Sequence, residues 1–175
     1  MNKSLLSNPS YTLIFIIYTF IYLILTINTA SAACSDPAKS KVDWKRCDLT
    51  SRVLKNKDLS EANLRESRFI RSNLDGSNLS KSDSIRAKFI NISAIKSDFS
   101  NAKLIGSDFT KAKLNNSSFK NADLRRSRLF RASFINADLT GARLAGADLL
   151  KADFSGATWI DGKTICAKGS IGQCQ

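Results

Sequence analysis

From Leu49 to Trp159 every fifth residue is large and apolar. Of the 23 positions in that register 21 are Leu, Phe or Trp; the exceptions are Ser84 and Ala94. Two residues ahead of each anchor the side chain is usually small, as at Ala62, Ser67, Ser72, Ser77, Ser82, Ala87, Ser97, Ala102, Ala152 and Ala157. A register held without insertion over such a length is an internal repeat, and the fold has to be built from it.

A period of five suits neither regular element. On an α-helix five residues advance about 500°, so successive anchors step about 140° around the axis and form no stripe. On a continuous strand an odd period sends alternate anchors to opposite faces. The pattern works if the chain bends once per repeat. The small residue and the anchor then both point inward, the residues between and after them point out, and the fifth residue turns a corner. Four corners close a square coil of about twenty residues, and coils stacked at about 4.8 Å satisfy one another's backbone groups. The small residue is needed because a narrow coil leaves little room beside each anchor.

The runs Ser-Asp-Phe at 97–99 and 107–109, Ala-Asp-Leu at 122–124, 137–139 and 147–149, Ala-Asn-Leu at 62–64 and Ala-Asp-Phe at 152–154 resemble the pentapeptide-repeat proteins. The resemblance spans about two thirds of the chain and implies an all-β fold, a right-handed quadrilateral β-helix of about six coils. It implies little about function, because one fold carries many roles.

Ahead of the repeats, Lys3 and a polar lead precede Tyr11 to Ile27, which holds no charge, and Ala30-Ser31-Ala32 supplies a small-x-small cleavage site. Residues 1–32 therefore read as a signal peptide, and the protein as exported, periplasmic or secreted. The alternatives are an uncleaved anchor through 11–27 and acylation of Cys34, which Ser31 disfavours because such sites usually carry an aliphatic residue there. Residues 33–46, polar and aperiodic with Pro37, read as an N-terminal cap or arm, with Trp44 lying over the first coil. Residues 47–160 form the array, and 161–175 a C-terminal cap.

The four cysteines are Cys34, Cys47, Cys166 and Cys174. An even count with export points to disulfides. The ends of such a solenoid stand about 30 Å apart at strand spacing, beyond disulfide reach, so the expected pairs are Cys34–Cys47 and Cys166–Cys174. A zinc site is the alternative, disfavoured by the lack of histidine. The tail from Trp159 to Cys174 also looks like the disulfide-closed ending of exported pentapeptide-repeat proteins.

Ser84 and Ala94 face each other across one coil. Two missing anchors predict either a small internal pocket or redistributed bulk, with Ile92 filling part of the space.

Outside, residues twenty apart stack into columns. Thr50, Ile70, Ile90, Thr110, Phe130 and Leu150 form an outward ladder, flanked by Arg71, Lys111, Arg131 and Lys151, with Asn91 interrupting; Arg125, Arg126 and Arg128 precede Arg131. The chain is basic, with 27 Lys and Arg against 15 Asp and Glu and a net charge of +12, and Lys3 is the one base ahead of the cleavage site. Such a field attracts anions. Ile70, Ile90, Phe130, Leu150, Arg71, Lys111, Arg125, Arg126, Arg128, Arg131 and Lys151 are the candidate partner surface.

Three function classes compete. Catalysis has no histidine, no phosphate-binding glycine loop and no cleft in a filled solenoid, so no enzyme, cofactor or metal is expected. Some relatives in the resembled family are acidic cytoplasmic rods that imitate duplex DNA and act on topoisomerases; this chain has the opposite charge and a leader. Direct DNA binding suits the charge but not the compartment, and no stacking aromatics interleave the bases. The favoured class is an exported, rigid, non-catalytic binding or scaffold module for an acidic protein or an anionic envelope component, including a membrane surface. The nucleic-acid reading revives if the chain stays inside the cell.

Overall fold

The computed structural model describes residues 34–175. The expectations on the apolar run 11–27 and the cleavage site lie outside the described residues. From Asp43 to Asp138, every fifth residue makes a parallel bridge to the residue twenty further on. The chain is a β-helix in which each twenty-residue coil lies on the one before.

The pentapeptide's chemistry follows from where its five N–H groups go. In the repeat around Leu124, Leu124 N donates to Arg143 O of the next coil at 2.9 Å and Arg126 N to Ala145 O at 3.1 Å, while Asp123 N donates back to Ala102 O of the previous coil at 3.0 Å. Ser127 N closes a β-turn on Leu124 O at 3.1 Å. The fifth N–H, that of the residue after the anchor, has no backbone acceptor, and the Asp or Asn before the anchor takes it. Asp98 Oδ1 accepts from Ser100 N at 2.8 Å, Asp108 from Thr110 at 3.0 Å and Asp148 from Leu150 at 3.0 Å. The consensus carboxylate is a turn cap.

The turn also explains the second residue after the anchor. There φ is positive throughout the coils, at glycines and at residues with a side chain alike, for example Gly76 at 67°, Lys81 at 57° and Arg131 at 56°. Asn, which tolerates this region, recurs at 56, 91, 101, 116, 121 and 136, and Gly stands at 76, 106, 141, 146 and 156.

Anchors and small residues are buried together in one core. Phe89 stacks between Phe69 and Phe109, with centroids 5.1 and 4.8 Å away, and Phe99 stacks on Phe119 at 4.8 Å. The coil with the two missing anchors is filled by these rings. Phe89 meets Phe99 edge-to-face at 5.8 Å and Phe99 meets Phe109 at 5.7 Å, while Ile92, Ser84 and Ala94 are all buried around them. Each such pair adds about 0.5–1.5 kcal/mol to the burial term. Several buried serines donate their hydroxyls to a backbone carbonyl, Ser67 Oγ to Leu64 O at 2.6 Å and Ser107 Oγ to Leu104 O at 2.7 Å within the turn and Ser72 Oγ to Leu49 O at 2.6 Å in the previous coil, whereas Ser127 Oγ has no partner among the described residues.

The ends differ from the expected boundaries. Asp43 already bridges to Asn63, and Trp44 stands in anchor register, five residues before Leu49 and only 3% exposed. Trp44 is thus part of the coil rather than a lid over it, because its indole fills the space an anchor occupies in the later repeats. Cys34–Ala38 sit beside it, around a depression of about 260 Å³. At the other end Trp159 contacts Phe154 edge-to-face at 5.2 Å, and the chain then reverses. The disulfides are Cys34–Cys47 and Cys166–Cys174, with Cα separations of 5.4 and 4.9 Å, and no cysteine is free. Among the described residues no helix is long and apolar enough to cross a membrane.

Candidate functional site

Four turns recur in each twenty-residue coil, and the four bridged stretches between them are labelled sides 1 to 4, each by the residue that points out between small residue and anchor. Side 1 carries Asp48, Arg68, Lys88, Asp108, Arg128 and Asp148; side 2 carries Val53, Asn73, Ser93, Lys113, Ser133 and Asp153. Side 3 carries Asp58, Asn78, Asp98, Ser118, Asp138 and Thr158; side 4 carries Asp43, Asn63, Asp83, Lys103, Asp123 and Arg143. The corner before side 1 stacks Arg46, Glu66, Arg86, Gly106 and Arg126, and the corner after it Arg71, Asn91, Lys111, Arg131 and Lys151. The outward column of side 1 balances three bases against three carboxylates, and its two corners add seven bases against Glu66; side 3 holds three carboxylates and no base in its outward column.

On side 1 bases stand at Arg68, Lys88 and Arg128 where the repeat calls for a capping Asx. Two residues later comes Ile70, Ile90 or Phe130 rather than Thr or Ser. The side gives up turn caps, each worth up to about 1 kcal/mol, and displays charge instead.

The candidate residues do not all meet. Arg125 lies on side 4, one turn earlier than the others, and its guanidinium is bound to Asp123 through Nε at 2.8 Å and Nη2 at 2.7 Å. That pairing holds the Asp123 carboxyl below its usual range. Arg125 therefore leaves the basic surface. Arg126 and Arg131 occupy the two corners of side 1, with Arg128 between them, 72% exposed and 3.8 Å from Asp108. An ion pair so exposed adds little and leaves the base available. Arg131 lies over the Phe130 ring at 5.2 Å. Arg71, Lys111, Arg131 and Lys151 are exposed, each in a left-handed corner that projects its side chain away from the coil.

The apolar column is less open than its sequence implies. Ile70, Ile90 and Phe130 are half-buried and Leu150 is 60% exposed. A residue just after the anchor sits on the shoulder of the turn, shielded by the coils above and below, and Leu150 has no coil above it among the described residues. Thr110 interrupts the ladder. What remains is a shallow depression of about 510 Å³ bordered by Ile90, Phe130, Leu150 and Arg128, with Asp108 and Asp148 in its wall. Sequence reasoning missed Arg68, Arg86 and Lys88 on this surface; the same twenty-residue arithmetic, applied to the columns before the anchor and at the preceding corner, finds them.

The family model described as "Pentapeptide repeat region" matches residues 42–119, and that described as "Pentapeptide repeats (8 copies)" matches residues 122–158. A search of curated proteins finds no match. Among solved structures the chain is similar to Rfr23, a pentapeptide repeat protein from the cyanobacterium Cyanothece, with 20% identity and a TM-score of 0.54 over 67% of this chain and 90% of that one. It is similar to HetL, a pentapeptide repeat protein involved in heterocyst differentiation regulation from the cyanobacterium Nostoc, with 26% identity and a TM-score of 0.45 over 72% of this chain and 69% of that one. It is also similar to QnrB1, a plasmid-mediated fluoroquinolone resistance protein, with 17% identity and a TM-score of 0.39 over 69% and 64%. With its five-residue register, its twenty-residue coil and both family models in agreement, the chain belongs to the pentapeptide-repeat family.

Proposed function

We propose that this protein is an exported, non-catalytic solenoid, right-handed and four-sided with about six coils, that presents side 1 to an anionic partner. The partner is an envelope surface such as acidic lipid headgroups or polymer, or an acidic protein. The observation that carries the reading is the uneven distribution of charge. Bases line both corners of side 1 and replace the capping Asx at Arg68, Lys88 and Arg128, while Asp48, Asp108 and Asp148 keep their caps and side 3 carries no base in its outward column. The two disulfides suit an oxidising compartment, and the apolar run followed by Ala30-Ser31-Ala32 suits a cleaved leader. The Asp rows that a catalytic reading needs are engaged as caps.

Because long-range attraction to anions is screened over about 8 Å at physiological salt, binding to anionic vesicles should weaken as salt rises. A base near an anionic surface contributes about 1 kcal/mol, so Arg126→Glu, Arg128→Glu and Arg131→Glu together should lower affinity by about a hundredfold or more. Phe130→Ser should weaken binding further without altering the salt dependence. Co-sedimentation of the exported chain and these variants, each with a native circular dichroism spectrum, decides the matter. Equal sedimentation of all of them makes side 1 a solvated face.

A further inference from the structure

The final coil is finished on two sides only. After Ile160 the chain doubles back, pairing Thr158 with Ile165 and Asp153 with Ile171 in antiparallel fashion. Trp159 N then donates to Thr164 O at 2.8 Å and Phe154 N to Ser170 O at 2.9 Å, which closes sides 3 and 2. Side 4 receives no strand from the described residues. One coil down, Leu124 N and Arg126 N donate upward and Ala122 O accepts from Arg143 N. Their equivalents in the last coil, Leu144 N, Gly146 N and Ala142 O, have no partner among the described residues. Ala145 N likewise has no partner among the described residues, since Arg143 stands where Asp123 caps Arg125 N below. The anchor loses cover with the strand: Leu124 is fully buried and Leu144 only partly. An unpaired edge of this kind is a template for another strand.

We propose that the edge from Ala142 to Gly146 binds an extended segment of a partner protein by strand addition, and that this segment carries a carboxylate followed by an apolar residue. The stack sets the register. A residue lying over Arg143 donates its N–H to Ala142 O and offers its carbonyl to Leu144 N; the next side chain falls over Leu144; the carbonyl after that reaches Gly146 N. Main-chain bonds then supply affinity and alternate side chains specificity. The carboxylate follows from the charge at this edge. Arg143 is 60% exposed, and the same column already pairs it with Asp123 across one coil at 3.5 Å. Arg126, whose Cγ lies 3.6 Å from where a Cβ on Gly146 would stand, adds a second cation with no carboxylate bound to it. Four unpaired backbone groups, three of them donors, favour an electron-rich strand in the same sense.

The probe is the capped hexapeptide Asn-Ala-Asp-Leu-Thr-Gly, the sequence of residues 136–141, which places Asp over Arg143 and Leu over Leu144. Added at millimolar concentration to the isotope-labelled full chain, it should shift the Leu144, Ala145 and Gly146 amide resonances and slow their hydrogen exchange. Arg143→Glu should weaken it about fivefold, and a peptide with Arg in place of Asp should bind that variant better than the wild type. The proposal is overturned if no amide from 142 to 146 responds or if exchanging the charges changes nothing. It is equally overturned if those amides are already protected before peptide is added. A doubled mass would then assign the edge to a second copy, and loss of protection on removing residues 1–32 would assign it to the leader.

Discussion

A single pentapeptide spends each of its residues on one physical task, and substitutions should sort by task. Leu104 and Phe119 are fully buried, so Leu104→Asp or Phe119→Asp places a charge among packed apolar groups and should cost several kcal/mol or unfold the array. Lys103 and Lys113 point out from the neighbouring position and are exposed, so Lys103→Ser or Lys113→Ser should leave the thermal midpoint unchanged. Equal tolerance at both kinds of site would contradict the inward register. Asp98→Ala removes the acceptor of Ser100 N and should cost about 1 kcal/mol in a denaturant titration. Gly141 has φ +69°, and a Cβ there would run into the Asn121 side chain stacked beneath it. Gly141→Ala should therefore destabilise by about 1–2 kcal/mol, the usual cost of a left-handed residue with a Cβ, and Asn121→Ala should recover only the clash.

At the level of elements, turns and caps decide where the solenoid starts and stops. The reversal that ends it is fixed by Asp161, whose carboxylate accepts from the N–H groups of Lys163 and Thr164 at 3.0 and 2.9 Å and from Thr164 Oγ1 at 2.6 Å. These bonds, led by the Thr164 hydroxyl, lower the Asp161 pKa from 3.8 to about 2. A folded-state pKa below the unfolded value stabilises the cap fully above about pH 3.8, and the contribution is lost as pH falls through about 2. Amide exchange at Trp159, Gly162 and Cys166 should accelerate across that window relative to the central coils, and Asp161→Asn should abolish the pH dependence. Reducing Cys166–Cys174 should loosen the same segment at neutral pH while the coils beneath stay ordered, because the bridge closes a loop confined to the cap.

Across the whole molecule each coil touches only its neighbours, so stability is close to a sum of coil terms and coupling terms. The Phe69 to Phe119 stack lies in the middle of the array, whereas the last coil leaves Leu144 and Leu149 partly open. Hydrogen exchange should show a gradient, with protection greatest from about Ser84 to Phe134 and falling toward both ends. The charge pattern is also a property of the whole. Bases on side 1 and its corners come from coils far apart in sequence, and they add to one field only because the stacked coils hold them in line.

The period of five, read alone, determined a great deal: inward anchors and small residues, one bend per repeat and a twenty-residue coil, whose stacked length together with the cysteine positions left one compatible set of disulfide pairs. Those follow from geometry that every repeat enforces equally. What tertiary structure decided lies where the average repeat fails. Trp44 joins the coil although its surroundings are aperiodic, because burial of an indole needs only the space an anchor leaves. Arg125 is removed from the basic surface by a carboxylate two residues away, and Ile70, Ile90 and Phe130 are shaded by stacking, neither of which a column of letters can express. The open edge at Ala142–Gly146 exists because the tail turns back over two sides rather than four, and the direction of that turn depends on how Trp159, Asp161 and the Cys166–Cys174 bridge pack against the last coil.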